Sequence, residues 1–182
     1  LGSGIIVNGD LIYGHDGFAG ELGHVRVKLN GRECGCSRRG CLETYVSATG
    51  LKRTVYKLLS DTLEPSRLRG IPFNDLTAKN VSEAAEKGDN IALEAFEYTG
   101  RIFGQAIADF VAFTSPKAIF LFGGLTNAGD FLFNPTKKHF EANVMPVFKN
   151  KVDILPSEIN ESHGAILGAS ALIWKEMGEI PG

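Results

Sequence analysis

The sequence has no run of the ~18 consecutive apolar residues that a transmembrane helix requires, so no segment reads as a membrane span. It also lacks an excess of either charge: 19 Lys and Arg stand against 21 Asp and Glu, for a formal net charge of −2. A nucleic-acid surface needs a basic patch, and the pair Arg38-Arg39 is too short to act as a basic tail. Cysteine is scarce, and its three copies all fall between positions 34 and 41. A secreted disulfide scaffold would spread an even number along the chain, so a reducing, cytoplasmic compartment is expected. No initiator methionine and no charged-then-apolar leader opens the chain. Leu1-Gly2-Ser3-Gly4-Ile5-Ile6-Val7 reads instead as the middle of a strand, and the expectation is a domain excised from a longer protein. With 182 residues, 43% hydrophobic and 22% charged, the chain can bury a core of its own.

Asn8-Gly9 between two short apolar runs predicts a β-hairpin, because Asn-Gly supplies the positive φ angles of a tight turn. Gly14 to Gly23 reads as a loop, and Val25 and Val27 suggest a short strand ending at Asn30-Gly31. Leu42 to Val46 predicts a short helix, after which Ser47 caps a longer one with Leu51, Val55, Leu58 and Leu59 on one stripe. Residues 61–76, with two prolines, read as an exposed excursion. Asp89 is placed to cap a long helix carrying Leu93, Phe96, Phe103, Ile107, Phe110 and Val111. The apolar run Ala118 to Phe122 predicts a strand buried on both faces, closed by Gly123-Gly124. A helix over about Asp130 to Val144 follows, then a strand over Val152 to Leu155 stopped by Pro156. The small residues from Gly164 to Ala171 open a last helix that could approach other backbone closely, with Trp174 as its anchor. Strands first, then alternating helix and strand, give the class α/β.

The sharpest chemical signal is Cys34-Gly35-Cys36-Ser37-Arg38-Arg39-Gly40-Cys41, with His24 ten residues upstream. Crowded thiolates repel unless a cation holds them, and zinc takes three sulfurs and one imidazole in a closed tetrahedron. Gly35 and Gly40 would let the backbone curl so that the sulfurs converge. Such a site would be structural, with no position open for water. Two more readings stand beside it: ordinary thiols with a surface histidine, or a strained Cys34–Cys36 disulfide that leaves Cys41 over. His15, His139 and His163 read as surface or packing residues.

Gly20-Glu21-Leu22-Gly23-His24, followed by Cys34-Gly35-Cys36 and Gly40-Cys41-Leu42-Glu43, resembles the ROK family of bacterial sugar kinases and sugar-responsive repressors. Leu1-Gly2-Ser3-Gly4 is similar to the tail of that family's phosphate hairpin, and Leu121-Phe122-Gly123-Gly124 to its adenosine-side glycine turn. The resemblance implies a ribonuclease H-like domain of the actin and hexokinase type, with residues 1–182 as the larger, C-terminal domain and the N-terminal domain absent. It assigns sugar contact to Glu21, His24 and Glu43, zinc ligation to His24, Cys34, Cys36 and Cys41, and nucleotide contact to Gly2, Ser3, Gly4, Gly123 and Gly124.

The implied activity is ATP-dependent phosphorylation of a hexose, glucose at its 6-hydroxyl first, with Mg²⁺ on the ATP and structural zinc. The implied general base is an aspartate of the N-terminal domain, so this chain by itself is expected to be inactive. A homodimer is implied, with no nucleic-acid or membrane contact by this domain. The alternatives are a sugar-responsive repressor, whose DNA-binding helices would precede this chain, or a kinase for N-acylmannosamine or fructose. Two positions depart from the family pattern: Ser37 stands where a third glycine is common, and Phe122 takes the first place of a frequent glycine triplet.

Overall fold

The computed structural model describes residues 1–178. Asn8 and Gly9 both take positive φ, 52° and 87°, which matches the twist of a tight hairpin. Across them β1 (Ile6–Val7) and β2 (Asp10–Leu11) pair antiparallel, Ile6 opposite Leu11 and Val7 opposite Asp10. The strand expected around Val25 and Val27 does not form. Only an isolated bridge, Arg26 to Cys41, is present, because the N–H groups of both Val27 and Lys28 converge on the carbonyl of Gly40 and no ladder continues. Where a helix over Leu42 to Val46 was expected, the chain makes a 3-10 turn, Leu42–Thr44.

Helix α1 (Ala48–Asp61) is capped by Ser47, whose hydroxyl accepts the N–H of Gly50, and it buries Leu51, Val55 and Leu59. Helix α2 (Ala78–Glu86) has no counterpart in the sequence reading; Thr77 and Asn80 start it with a reciprocal capping box. The 61–76 segment is not a plain exposed excursion. Leu68 and Leu76 are buried beside α1 and α2. Arg69 holds the carbonyls of Leu59, Thr62 and Glu64, and Ser66 donates to Asp89.

Asp89 caps α3 (Asn90–Thr114) by accepting the N–H of Ala92. Phe96, Phe103, Ile107 and Val111 are buried along it, whereas Leu93 is exposed. Helix α4 (Asp130–Asn143) carries Pro135 within it and crosses α3 closely. Gly100 and Gly104, one turn apart on α3, make the approach possible: a Cβ at Gly104 would lie 2.4 Å from the carbonyl oxygen of Thr136.

Strands β3 (Ala118–Leu121) and β4 (Asp153–Pro156) pair in parallel, from Ala118 opposite Asp153 to Leu121 opposite Pro156. The expectation of a strand buried on both faces is corrected here. Leu121 is buried but Phe120 is 66% exposed, since the two-stranded sheet is covered on one face only among the described residues. Helix α5 (Glu161–Glu176) follows. Trp174 does not anchor it: the ring is 46% exposed and its N–H donates to Ser170 on the same helix. No helix among the described residues is long and apolar enough to cross a membrane.

The residues around the future site are rooted in the core. Leu42, Tyr45 and Val46 are buried against α3 and α4 with Phe103, Ile107 and Phe140. The turn that carries Glu43 is therefore packed onto the helices behind it.

Candidate functional site

Two loops meet here, each held by crowded glycines. At the first, Gly20 takes φ 93° and its carbonyl accepts the Ser3 hydroxyl, whose oxygen in turn accepts the N–H of Leu22 at 3.3 Å. A Cβ on Gly23 would fall 2.0 Å from the carbonyl oxygen of Leu1. Bare backbone is thus required where the two segments touch, and the 3-10 turn Leu22–His24 presents Glu21 and His24 beside the start of the chain. At the second, Gly40 takes φ 81°, and its Cβ would lie 1.7 Å from the carbonyl oxygen of Lys28. Gly35, expected to share that role, has open space around it and no positive φ. Ser37 adopts φ 66° instead, a left-handed conformation that costs a non-glycine residue about 1–2 kcal/mol.

The two loops bring His24, Cys34, Cys36 and Cys41 together, with one ligand atom of each within 4.8 Å of all the others. The Sγ atoms of Cys36 and Cys41 are 3.6 Å apart, and Cys34 Sγ is 3.5 Å from His24 Nδ1. Zinc–sulfur and zinc–nitrogen bond lengths in a tetrahedron give edges of about 3.8 Å and about 3.6 Å. All three thiols are free. The donor set and its spacing therefore fit a four-coordinate soft ion.

The thiols differ in proton affinity. Burial pushes Cys34 up to about 12, while hydrogen bonds from the Arg38 side chain and backbone pull Cys36 down to about 6. Cys36 thus favours its thiolate more than Cys34 does, and Cys34 must release its proton to solvent before it can bind a metal. Metal uptake at this cluster is coupled to proton release and weakens as pH falls. Arg38 also donates to the carbonyl of His24 at 2.8 Å, tying the two loops together.

Two carboxylates flank the imidazole. Glu21 Oε2 lies 3.9 Å from His24 Nε2, and Glu43 Oε1 lies 3.7 Å from His24 Nδ1. Glu43 accepts the Cys34 thiol at 3.0 Å. The Cys34 bond, with help from His24, holds the Glu43 carboxyl below the usual range. The Glu21 side chain is 61% exposed and Glu43 partly buried, so the row of acceptor, imidazole and acceptor opens to solvent. Ionised carboxylates in such a row suit a ligand that presents several hydroxyl groups.

A residue that the sequence reading passed over braces this row. Arg32 donates to the carbonyls of Thr44 and Gly50 and to Thr54 Oγ1, at 2.8–3.0 Å, and its guanidinium lies 4.6 Å from the Tyr45 ring centre. It links the cysteine loop to the turn that bears Glu43 and to α1. An arginine between Gly31 and Glu33 carries no sequence signal for that role, which only the contact geometry discloses.

The expected nucleotide residues divide. Gly2, Ser3 and Gly4 belong to the first loop. Gly123, with φ 108°, lines a separate cavity of about 360 Å³ at the carboxyl ends of β3 and β4. Phe122, Thr126, Asn127, Ser157, Ile159 and Asn160 complete its wall. Gly124 is not in that wall; it opens the 3-10 turn Gly124–Ala128 behind it. The crevice at the carboxyl ends of parallel strands is where α/β sheets commonly take ligands. Of the histidines outside the cluster, His15 and His163 are exposed, and His139 bonds Glu97 across the α3–α4 contact at 2.8 Å.

The mixed α/β domain thus carries a Cys₃His cluster with two adjoining carboxylates and, apart from it, a glycine-edged cavity at its strand ends. The ROK family model matches residues 1–176, and the chain belongs to the ROK family. It is 34% identical over 181 residues to a glucokinase of Thermotoga maritima, covering 98% of this chain and 56% of that protein. It is equally 34% identical, over 176 residues, to the DNA-binding transcriptional dual regulator NagC of Escherichia coli, covering 97% and 42%. Among solved structures, a ROK glucokinase from Streptomyces griseus in complex with glucose and AMPPNP superposes with TM-score 0.84 and 30% identity, over 94% of this chain and 56% of that one. The chain thus spans about half the length of these relatives. Its relatives include sugar kinases and transcriptional regulators, and the mixed α/β fold is theirs.

Proposed function

We propose that the full-length protein transfers a phosphoryl group from ATP to a hexose, glucose at the 6-hydroxyl first, and that this chain is the larger, C-terminal domain of a two-domain kinase of the hexokinase and actin type. The observation that carries the reading is the row Glu21, His24, Glu43 beside the Cys₃His cluster. The S. griseus glucokinase, with glucose and AMPPNP bound, has the same fold over nearly all of this chain, which supports both ligands.

In this reading zinc held by His24, Cys34, Cys36 and Cys41 supplies no chemistry and fixes the loop. His24 faces the cysteines through Nδ1 and Glu21 through Nε2, so Nε2 carries the proton and donates it to a sugar hydroxyl. Glu21 and Glu43 accept hydrogen bonds from neighbouring hydroxyls, and a wrong epimer leaves one of them unpaired. Backbone N–H groups of Gly2, Ser3 and Gly4 face the phosphates, and Gly123 with Gly124 the nucleoside. The proton of the attacking hydroxyl goes to an aspartate in the N-terminal domain, so this chain alone does not turn over. The parent is cytoplasmic and a homodimer, its three free thiols suiting a reducing compartment.

A second reading, a sugar-responsive repressor, is favoured by the equal identity to NagC. A coupled ATP assay of the full-length parent across a panel of hexoses separates the two. Turnover with at least one hexose is expected, and its absence together with sequence-specific DNA binding would establish the repressor. Within either reading, Glu21→Ala is expected to weaken sugar binding by at least ~tenfold, about 1.4 kcal/mol for one charge-assisted hydrogen bond. The metal content, near one zinc per chain, is retained. Calorimetric titration with the sugar, beside elemental analysis, checks both halves.

A further inference from the structure

We propose that Phe122 is the stacking platform for the purine of the bound nucleotide, so that the cavity beside Gly123 selects a base-bearing phosphate donor over bare polyphosphate. The proposal rests on the nucleotide reading of that cavity and adds to it the residue that chooses the ligand.

Three observations converge on this ring. Phe122 follows Leu121, which is buried, and its own side chain is 51% exposed at the cavity wall. Lone exposed aromatics are ordinary on protein surfaces, but this one is pinned. A Cβ on Gly164 would fall 2.4 Å from Phe122 Cζ and 3.0 and 3.1 Å from its two Cε atoms. The tip of the ring therefore rests on the bare backbone of the first turn of α5, and a side chain at Gly164 would push it from that position. A platform fixed before the ligand arrives loses little freedom on binding.

The surroundings of the ring suit a base and ribose. Gly123 at φ 108° leaves the backbone uncovered next to the ring, and Thr126 folds its hydroxyl back onto the Gly123 carbonyl at 2.7 Å. Asn127 and Ser157 supply an amide and a hydroxyl along the rim. Asn160 spends its amide oxygen on the N–H and hydroxyl of Ser162 at the α5 cap. A volume of about 360 Å³ is in the range of a small-ligand pocket. The face of a phenyl ring is electron-rich and repels phosphate, whereas it stacks on a heterocyclic base.

The test is calorimetric binding of Mg-ADP and, separately, of inorganic tripolyphosphate to the full-length parent and its variants. Phe122→Ala is expected to weaken ADP by ~tenfold, within the range seen when a stacking aromatic is removed, while tripolyphosphate changes by less than ~twofold. Phe122→Trp is expected to restore ADP affinity. Phe122→Leu keeps the apolar packing on Gly164 and loses the π face, so it is expected to weaken ADP by a similar ~tenfold, and it keeps the test readable where the alanine variant unfolds. ADP binding that is unchanged or tighter in Phe122→Ala and Phe122→Leu overturns the proposal, leaving the nucleotide site in place with the ring as an obstruction or a bystander. A wild-type parent that binds no ADP removes the nucleotide reading itself, and this proposal with it.

Discussion

Gly40→Ala is expected to empty the metal site although no ligand is changed. The new Cβ would sit 1.7 Å from the Lys28 carbonyl oxygen, a backbone atom that cannot swing aside. The φ of 81° adds about 1–2 kcal/mol of its own for any residue with a Cβ. Relief requires the loop to move away from Lys28, which breaks the bridge between Arg26 and Cys41. Cys41 is the next residue, fully buried, with its sulfur 3.6 Å from that of Cys36. Zinc per chain, measured by elemental analysis on the purified parent, is expected to fall to less than ~a tenth of the wild-type value, since a tetrahedral site that loses one ligand's geometry loses its closure. Gly35→Ala is the control: nothing lies within 4 Å of its Cβ, and the metal stays. Full occupancy in Gly40→Ala would mean that the loop is not held as described.

The second large effect belongs to the helix pair behind the site. At Gly104 a Cβ would meet three backbone atoms of α4: the Thr136 oxygen at 2.4 Å, the Phe140 nitrogen at 2.6 Å and the His139 carbonyl carbon at 3.0 Å. Gly104→Leu must force α3 and α4 apart along a contact that also holds Phe103, Ile107 and Phe140. Overpacking of this kind costs about 3 kcal/mol, which lowers the unfolding temperature of a domain of this size by roughly 6–12 °C. Because Leu42 and Tyr45 pack on the same helices, sugar affinity is expected to fall with it. Thermal unfolding of the parent and the variant, followed by circular dichroism, reads the first effect and a sugar titration the second. Gly70→Ala, whose Cβ meets nothing, leaves both unchanged.

Local signals were legible where a single residue type enforces a conformation. Asn8-Gly9 turned the hairpin, and Ser47 and Asp89 capped the helices that their positions announced. The Cys₃His cluster was legible because three cysteines within eight residues of a glycine-bearing loop can hardly avoid one another, and the fold does bring them to His24. What tertiary packing decides was not. Leu68 and Leu76 sit in a segment with two prolines, and nothing in its periodicity says that it folds back onto α1 and α2. Helix α2 is short and alanine-rich, and its only local mark was the Thr77–Asn80 box. A continuous apolar run suggested a strand covered on both sides, yet Phe120 faces open space because burial depends on what else the sheet adjoins. Arg32 and Arg38 read as ordinary loop charges, and their bonds to distant carbonyls exist only in three dimensions.

We propose that metal closes a small loop which carries two carboxylates and an imidazole into a shape that recognises a sugar. The direct measurement is hexose affinity of the full-length parent by calorimetry before zinc extraction, after it, and after one equivalent of zinc is returned. Loss of at least ~tenfold on extraction, with recovery on re-addition, is the predicted result, in line with the effect of unsettling the shell around a bound metal. Equal affinity in protein shown to be free of zinc would contradict the account at its root.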